Sequence, residues 1–412
     1  DHPLATEIIH QVQNRRALYV AQFLHDIGKG RAEDHSIVGA RVARALGPRL
    51  GLGKAETETV AWLIENHLVM STYAQSRDLN DPKTIRDFAA IVQSPERLRL
   101  LLILTVADIR AVGPGVWNGW KGQLLRTLYA ETEPLLAGDV SRLDRKSRSS
   151  AAAAELSAAL PDWSKAEIDR FVGRHHHAYW VRTDTAKQAE HAKLMRRAET
   201  DGARVATDVK TDAFTAITEL TVLAPNDRGL LALLAGACAA AEANIVGAHI
   251  STTRDGLALD TFLLQRTMSE ADEHRRAARI GEAIERLMAG ETTLEKLFGR
   301  RKRPAHRLSA FDVEPEATIN NALSDEHSVV EVAGLDRPGL LHELTSALSE
   351  LGLDINSAHV ATYGEKAIDV FYVTDAKGQK VADENRREAI RARLASVLAG
   401  TGEARADLVT NR

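Results

Sequence analysis

Apolar residues recur at a spacing near 3.6 through the first third of the chain, which predicts a helical unit. One predicted helix runs Arg15 to Ile27, with Ala17, Val20, Ala21, Leu24 and Ile27 on one face. A second follows Asp34, with Val38, Val42, Ala45 and Leu46 in register. A third spans Ala55 to Met70 on Val60, Leu63, Ile64 and Leu68. A fourth follows Pro95 on Leu98, Leu101, Leu102, Thr105, Ile109 and Val112, and Gly-Pro-Gly at 113–115 stops it. Charged, Ala/Ser-rich sequence from Ser141 to Ala159 reads as a join into a polar helical connector reaching about Ala213. From Ile217 the pattern changes: strand-like stretches at Ile217–Leu223, Ile245–Thr253 and Leu257–Gln265 alternate with helix-like runs.

The second such region repeats the first. Gly229 answers to Gly339, Leu230 to Leu340, Ile245 to Ile355 and His249 to His359, all 110 residues apart, and Asp260 answers to Asp369 after a one-residue deletion. That period is far too long for a solenoid, so it marks two copies of one small domain. Each copy reads strand, helix, strand, strand, helix and a closing strand, which in the second copy is Glu403–Val409. The predicted fold is therefore an all-α domain (1–145), a helical connector (146–213), a ferredoxin-like βαββαβ domain (214–305), a linker (306–326) and a second βαββαβ domain (327–412).

Composition narrows the picture only a little. Lys and Arg number 53 against 57 Asp and Glu in 412 residues, a net charge of −4, which implies no general grip on DNA. The basic run Gly299–Arg307 reads as a solvated connector, and the His175–His177 triplet as a polar surface turn. The single cysteine, Cys238, excludes a disulfide framework and reads as core, as expected in a reducing cytoplasm. No apolar run has membrane-spanning length; Leu98–Val106 is interrupted by Arg99. The first residue is Asp1 rather than Met, so a piece of a longer chain is expected.

Several polar residues sit where apolar ones are expected. His25 and Asp26 end an apolar helix and are followed by Ile27-Gly28-Lys29-Gly30, and His35 stands shortly after them. His67 lies on the apolar stripe of its predicted helix, and Asp108 falls seven residues after Leu101 inside "LRLLLILTVADI". An ionised carboxylate in that setting costs several kcal/mol, on the order of 3–5, unless it is paired or bound to a metal. A satisfied core histidine and a buried salt bridge are the competing readings, but imidazoles and carboxylates together suit a divalent ion. Such an ion activates water and clamps phosphoryl oxygens. Lys29, Arg110 and Lys121 lie near these residues in sequence and offer positive charge to a phosphoryl transition state, with surface ion pairs as the alternative.

"HDIGKG", "DHS", "NH" and "ADIRAVGPGVWNGWKGQLLR" together resemble the HD metal-dependent phosphohydrolases, and among them the bacterial bifunctional uridylyltransferase/uridylyl-removing enzymes. The tandem "DR(x)GLL" repeats resemble ACT domains, which sense amino acids, and the resemblance covers nearly the whole chain. It implies one or two divalent ions (Mg2+ or Mn2+), with His25, Asp26 and Asp108 as ligands and His35 and His67 matching the two histidines that hold a second ion in binuclear members. It implies the PII signalling protein as substrate and glutamine as effector, with no DNA or membrane partner and a cytoplasmic location. Two departures stand out: His2 and His10 are the only candidates for a further upstream ligand, and no nucleotidyl-transfer site is found in these residues.

Each repeat places a glycine at a helix start, where free N–H groups suit a ligand carboxylate. The resemblance assigns the effector to Asn226, Asp227, Gly229, Leu230 and Asn244 of the first repeat and to Asp336, Arg337, Gly339, Leu340 and Asp354 of the second. Helix capping is the alternative reading of Asp227 and Asp336. Two other functions stay open at this point: a guanosine-tetraphosphate hydrolase, which also joins HD and ACT units, and a glutamine-binding regulatory module with an incomplete metal site.

Overall fold

The structure, a computed structural model, describes residues 3–79, 81–112, 117, 119–138, 153–176, 179–180, 183–212, 217–265, 269–298, 313–363 and 365–400. The chain forms two compact units, residues 1–161 with 177–185 and residues 162–176 with 186–412. The first is helical and the second is built on an antiparallel sheet.

The helical unit contains α1 (Pro3–Ile8), α2 (Arg15–Leu24), α3 (His35–Leu46), α4 (Lys54–Glu65), α5 (Val69–Ser76), α6 (Pro82–Val92), α7 (Pro95–Ala111) and α8 (Gly119–Ala137). Local sequence sets the starts: Asn14 accepts the Ala17 N–H, Asp34 accepts those of Ser36 and Ile37, and Ser94 caps α7 with Pro95 at its first position. Helix α7 is the spine. It packs on α1, α2, α4, α5, α6 and α8, which is why it is apolar nearly all round. Leu98, Leu100, Leu101, Leu102 and Leu104 are all fully buried, each contributing about 1.5–3 kcal/mol. That packing fixes the position of the polar residues in its last turn.

The helix predicted over Ala55–Met70 is two helices. α4 stops at Glu65, and the Asn66–Leu68 turn precedes α5. Asn66 folds its amide back to the Trp62 carbonyl (2.9 Å) and His67 donates from Nδ1 to the Ile64 carbonyl (2.7 Å), so two polar side chains close the end of α4. His67 thus lies in a turn, not on a helical stripe. The fourth helix ends at Ala111, and Gly-Pro-Gly at 113–115 lies outside the described residues.

In the second unit, α9 (Lys165–Arg174) and α10 (Thr185–Asp201) precede the strands β1 (Ala206–Asp212), β2 (Ile217–Pro225), β3 (Ile245–His249) and β4 (Leu257–Gln265). Helices α11 (Leu230–Ala240), α12 (Glu270–Met288) and α13 (Leu294–Phe298) belong to this first repeat. The second repeat has β5 (Glu316–Asn320), β6 (Ser328–Leu335), α14 (Leu340–Glu350), β7 (Leu353–Tyr363), β8 (Lys366–Asp375) and α15 (Glu384–Leu398). All eight strands form one sheet in the order β1-β2-β4-β3-β7-β8-β6-β5. β3 meets β7 through the pair His249 and His359, equivalent positions of the two repeats. The repeats share one apolar core, with Cys238 inside it. Helices α11 and α14 pack so closely that a Cβ on Gly236 would lie 2.9 Å from His342 Nδ1.

The antiparallel ACT-type architecture matches the sequence reading, but the outer strand of each repeat comes from the other direction. β1 lies inside the predicted connector and pairs with β2, and β5 lies inside the predicted linker and pairs with β6. In the first repeat the segment after α12 is helix α13, not a closing strand. The position beside β6 is held by β5, and Glu403–Val409 lies outside the described residues. Edge strands take charged, alternating sequence, so "ATDVKTD" reads as a connector when judged by apolar content. The basic run at 299–307 also lies outside the described residues. His175 is a further correction: it is buried at 1 % exposure with its ring 4.5 Å from that of Phe171, and burial pushes its pKa down to about 3.

Candidate functional site

Where α2 ends, the chain turns tightly: the Ile27 N–H bonds to Leu24 O and the Lys29 N–H to Asp26 O. Gly28 makes this turn lie against the start of α3, since a Cβ there would sit 2.2 Å from the His35 carbonyl oxygen. His35 is thereby brought beside the His25–Asp26 pair. The end of α4 supplies His67, and the last turn of α7 supplies Asp108.

Five side chains that are far apart in sequence meet here. Ligand atoms of His25, Asp26 and Asp108 lie within 4.8 Å of one another, as do those of Asp26, His35 and His67. Asp26 belongs to both groups. His25 Nε2 is 3.2 Å from Asp108 Oδ1 and 3.4 Å from Asp26 Oδ2, and the Nε2 atoms of His35 and His67 are 3.4 Å apart. His67 is buried; Asp108 is less so than its run predicts, at 24 % side-chain exposure, because the last turn of α7 emerges from the core here.

The donor chemistry fits a divalent cation. His25 Nδ1 donates to Gln22 O (2.8 Å) and His67 Nδ1 to Ile64 O (2.7 Å). A carbonyl only accepts, so both neutral rings carry their proton on Nδ1 and turn an Nε2 lone pair inward, the arrangement of metal-bound histidines. Lone pairs of imidazoles and carboxylates facing one another repel unless a positive charge stands among them. Without a cation, the hydrogen bond to Asp108 raises the His25 pKa above 6.5, and the same bond lowers that of Asp108. Burial lowers the His67 pKa, keeping it neutral and able to ligate.

The three predicted cations are not equivalent. Lys29 Nζ is 2.6 Å from Asp26 Oδ2, at the edge of the cluster. Arg110 is exposed on the last turn of α7, and Lys121 sits in the first turn of α8, where burial lowers its ammonium pKa. His10 is exposed and belongs to neither ligand group; His2 lies outside the described residues.

The predicted effector residues divide into two places. Asn244, Asp336, Arg337, Gly339 and Leu340 line one cleft between the repeats, which encloses about 20 Å³. Asn244 Nδ2 and Thr362 Oγ1 each donate to Asp336 Oδ2 at 3.3 Å. Gly339 starts α14 at φ +85° with no side-chain cap. At the equivalent place in the other repeat, Asn226 donates to Thr252 (3.3 Å), and Asp227 is exposed beside Gly229 and Leu230. There Asp354 is gripped by both nitrogens of Arg228 at 2.7 and 2.9 Å. Sequence reasoning missed Arg228, Thr362 and Asp369. A carboxylate inside "AIDVFYV" is the same signal that singled out Asp108.

The helical unit belongs to the HD domain family, which matches residues 1–149, and residues 323–400 match the ACR family N-terminal ACT domain. The chain thus joins an HD domain, a kind of domain that binds divalent metals, to an ACT domain. Its homologues are named bifunctional uridylyltransferase/uridylyl-removing enzyme. Those of Nitrobacter hamburgensis and Bradyrhizobium diazoefficiens are each 52 % identical to it, over 97 % and 96 % of this chain. That of Rhodopseudomonas palustris is also 52 % identical, over 96 % of the chain. The chain spans 43 % of the length of each. No solved structure matches it. Among the described residues, no helix is long and apolar enough to cross a membrane.

Proposed function

We propose that this chain hydrolyses the phosphodiester linking UMP to a tyrosine of the PII protein, and that glutamine bound at the ACT repeats controls the reaction in the cytoplasm. The convergence of His25, Asp26, His35, His67 and Asp108, with the Nε2 atoms of His25 and His67 turned inward, carries the reading. The name of the relatives favours uridylyl removal over guanosine-tetraphosphate hydrolysis.

A bound Mg2+ or Mn2+ would activate water for in-line attack on phosphorus and draw charge from the phosphoryl oxygens. Asp26 belongs to both ligand groups, so it would help to hold the cation whether one or two are bound. The residues themselves do the positioning. Hydrogen bonds to Gln22 O and Ile64 O hold the imidazoles of His25 and His67 in orientation. Lys29 holds the Asp26 carboxylate and places an ammonium beside the reacting phosphate. Arg110 and Lys121 are the further cations assigned to the transition-state charge. The tyrosine oxygen leaves as the P–O bond breaks, and UMP is released. Glutamine acts by binding one arrangement of the chain more tightly than another, with plentiful glutamine favouring removal.

The test is release of UMP from uridylylated PII by the full chain, with Mg2+ or Mn2+, with and without glutamine. Metal-dependent release that Asp26→Ala and Asp108→Ala abolish, with glutamine binding intact, supports the reading. Equal release by the wild type and both variants would overturn it. Glutamine binding with no release and no bound metal in the wild type would leave a regulatory module instead.

A further inference from the structure

The cleft of Asn244 and Asp336 has a counterpart position in the other repeat, at Asp354 and Asn226, yet the charges at the two places differ. Beside Asp354 the chain supplies its own cation, the guanidinium of Arg228. The residue in the place of Arg228 in the second repeat is Pro338. Asp336 therefore faces Asn244 and Thr362, and the residue in its place in the first repeat is the neutral Asn226. Arg337 lines this cleft too, but its guanidinium goes to Glu343 and the Val397 carbonyl, at 2.6 and 2.7 Å.

Asp369 adds a second carboxylate to the same cleft. It lies on β8 between Val332 of β6 and Val360 of β7, at 3 % exposure, and its Oδ1 is buried with no hydrogen-bond partner among the described residues. Leaving such an oxygen unsatisfied is costly. Burial, with Asp336 nearby, pushes its pKa up to about 8. Two carboxylates, a near-empty space for one small group and no committed cation form a receptor for positive charge. The uncapped start of α14, with Leu341 and His342 lining the cleft, lies at hand for a carboxylate.

We propose that the cleft of Asn244, Asp336 and Asp369 binds a primary ammonium group, with Asp369 as the deciding residue, and that the counterpart position at Asp354 binds none because Arg228 already occupies its acid. The space of about 20 Å³ suits one group the size of water or ammonium. The rest of an amino acid would enter only as the repeats part. This deepens the glutamine reading and rests on it for the identity of the amine; free ammonium ion carries the same chemistry.

The experiment is calorimetric titration of the full chain with L-glutamine, with its analogue lacking the α-amino group (4-carbamoylbutanoate), with the other standard amino acids and with ammonium chloride. One glutamine per chain is expected, and the desamino analogue should not bind. Asp369→Asn and Asp336→Asn should each weaken binding on the order of 10- to 100-fold, the cost of a lost charge-assisted hydrogen bond. Asp260→Asn, the same change in the first repeat, should leave it within about threefold, a small fraction of that bond. Binding of another amino acid or of ammonium alone, dependent on Asp369, would end the glutamine reading and sustain this one. Equal binding by Asp369→Asn and the wild type, two ligands per chain, or no amine bound at all would overturn it, whether or not UMP is released.

Discussion

The Nε2 atoms of His35 and His67 face each other at 3.4 Å, one from the start of α3 and one from the turn that ends α4. His67 Nδ1 is committed to a backbone carbonyl, so its inward nitrogen carries a lone pair. Nothing in the packing demands this: an apolar residue in that turn would be buried at lower cost. The pair makes sense as the two imidazole arms of a cation site whose third arm is Asp26.

Replacing His67 by Ala should therefore remove metal before it removes fold. Metal content of the purified protein, read by elemental analysis, is expected to fall sharply, with UMP release falling about 100-fold or more, as expected for loss of a metal ligand. Unchanged metal content would show that the turn is structural only.

Gly28→Ala tests how the site is assembled. The added methyl would meet the His35 carbonyl at 2.2 Å, and backbone atoms on both sides leave no flexible neighbour to yield. The two segments must separate, at about 1–3 kcal/mol in overpacking cost, and His35 must move away from Asp26. A lowered melting temperature together with weakened metal binding is expected. Weakened binding should appear even where the variant remains folded.

Much of this was legible in the sequence because burial and polarity disagreed there. His25, Asp26, His35, His67 and Asp108 stand out as polar residues at apolar positions or at helix ends, and all five meet. The break at Asn66 was not legible, because apolar spacing continues through it; only side-chain bonds back to Trp62 and Ile64 end the helix. The edge strands β1 and β5 were missed for the opposite reason: the alternating charges of β1 and the short, weakly apolar sequence of β5 resemble a linker. Asp260 and Asp369 carried the same signal as Asp108, but the repeat explained them as matching positions and hid their burial at 2 % and 3 %.

The first repeat holds a buried ion pair that should be structural. Arg276, at 2 % exposure, donates to Glu273 Oε2 (2.5 Å) and to the carbonyls of Gln265 (3.2 Å) and Glu242 (3.4 Å). Arg276→Met takes the guanidinium from a buried carboxylate, and a loss of about 3–5 kcal/mol is expected in chemical denaturation. The double change Glu273→Leu/Arg276→Met should recover only part of this, since both carbonyls still lack their donor. Full recovery would mean those two bonds contribute nothing.

The buried carboxylates of the repeats should make the ligand-free protein less stable as pH rises. Burial lifts Asp260 to about 7 and Asp369 to about 8, and it shifts Asp336 in the same direction, whereas an unfolded chain ionises its Asp residues near pH 3.9. The native state thus holds protons that the unfolded state has released, and stability present below about pH 4 is lost as pH climbs through 7 and 8. Asp336, Arg337 and His342 share the cleft with Asp369, and Val332 and Val360 flank it in the sheet; the Arg337 guanidinium is already paired with Glu343. Asp369→Asn should flatten the decline between about pH 5 and 8.5, where the released proton no longer counts. Saturating glutamine should flatten it in the wild type, because an ammonium at Asp369 replaces the proton. Denaturation curves across that range are the measurement, and coinciding slopes for the wild type and Asp369→Asn would show that Asp369 ionises as freely in the folded chain as in the unfolded one.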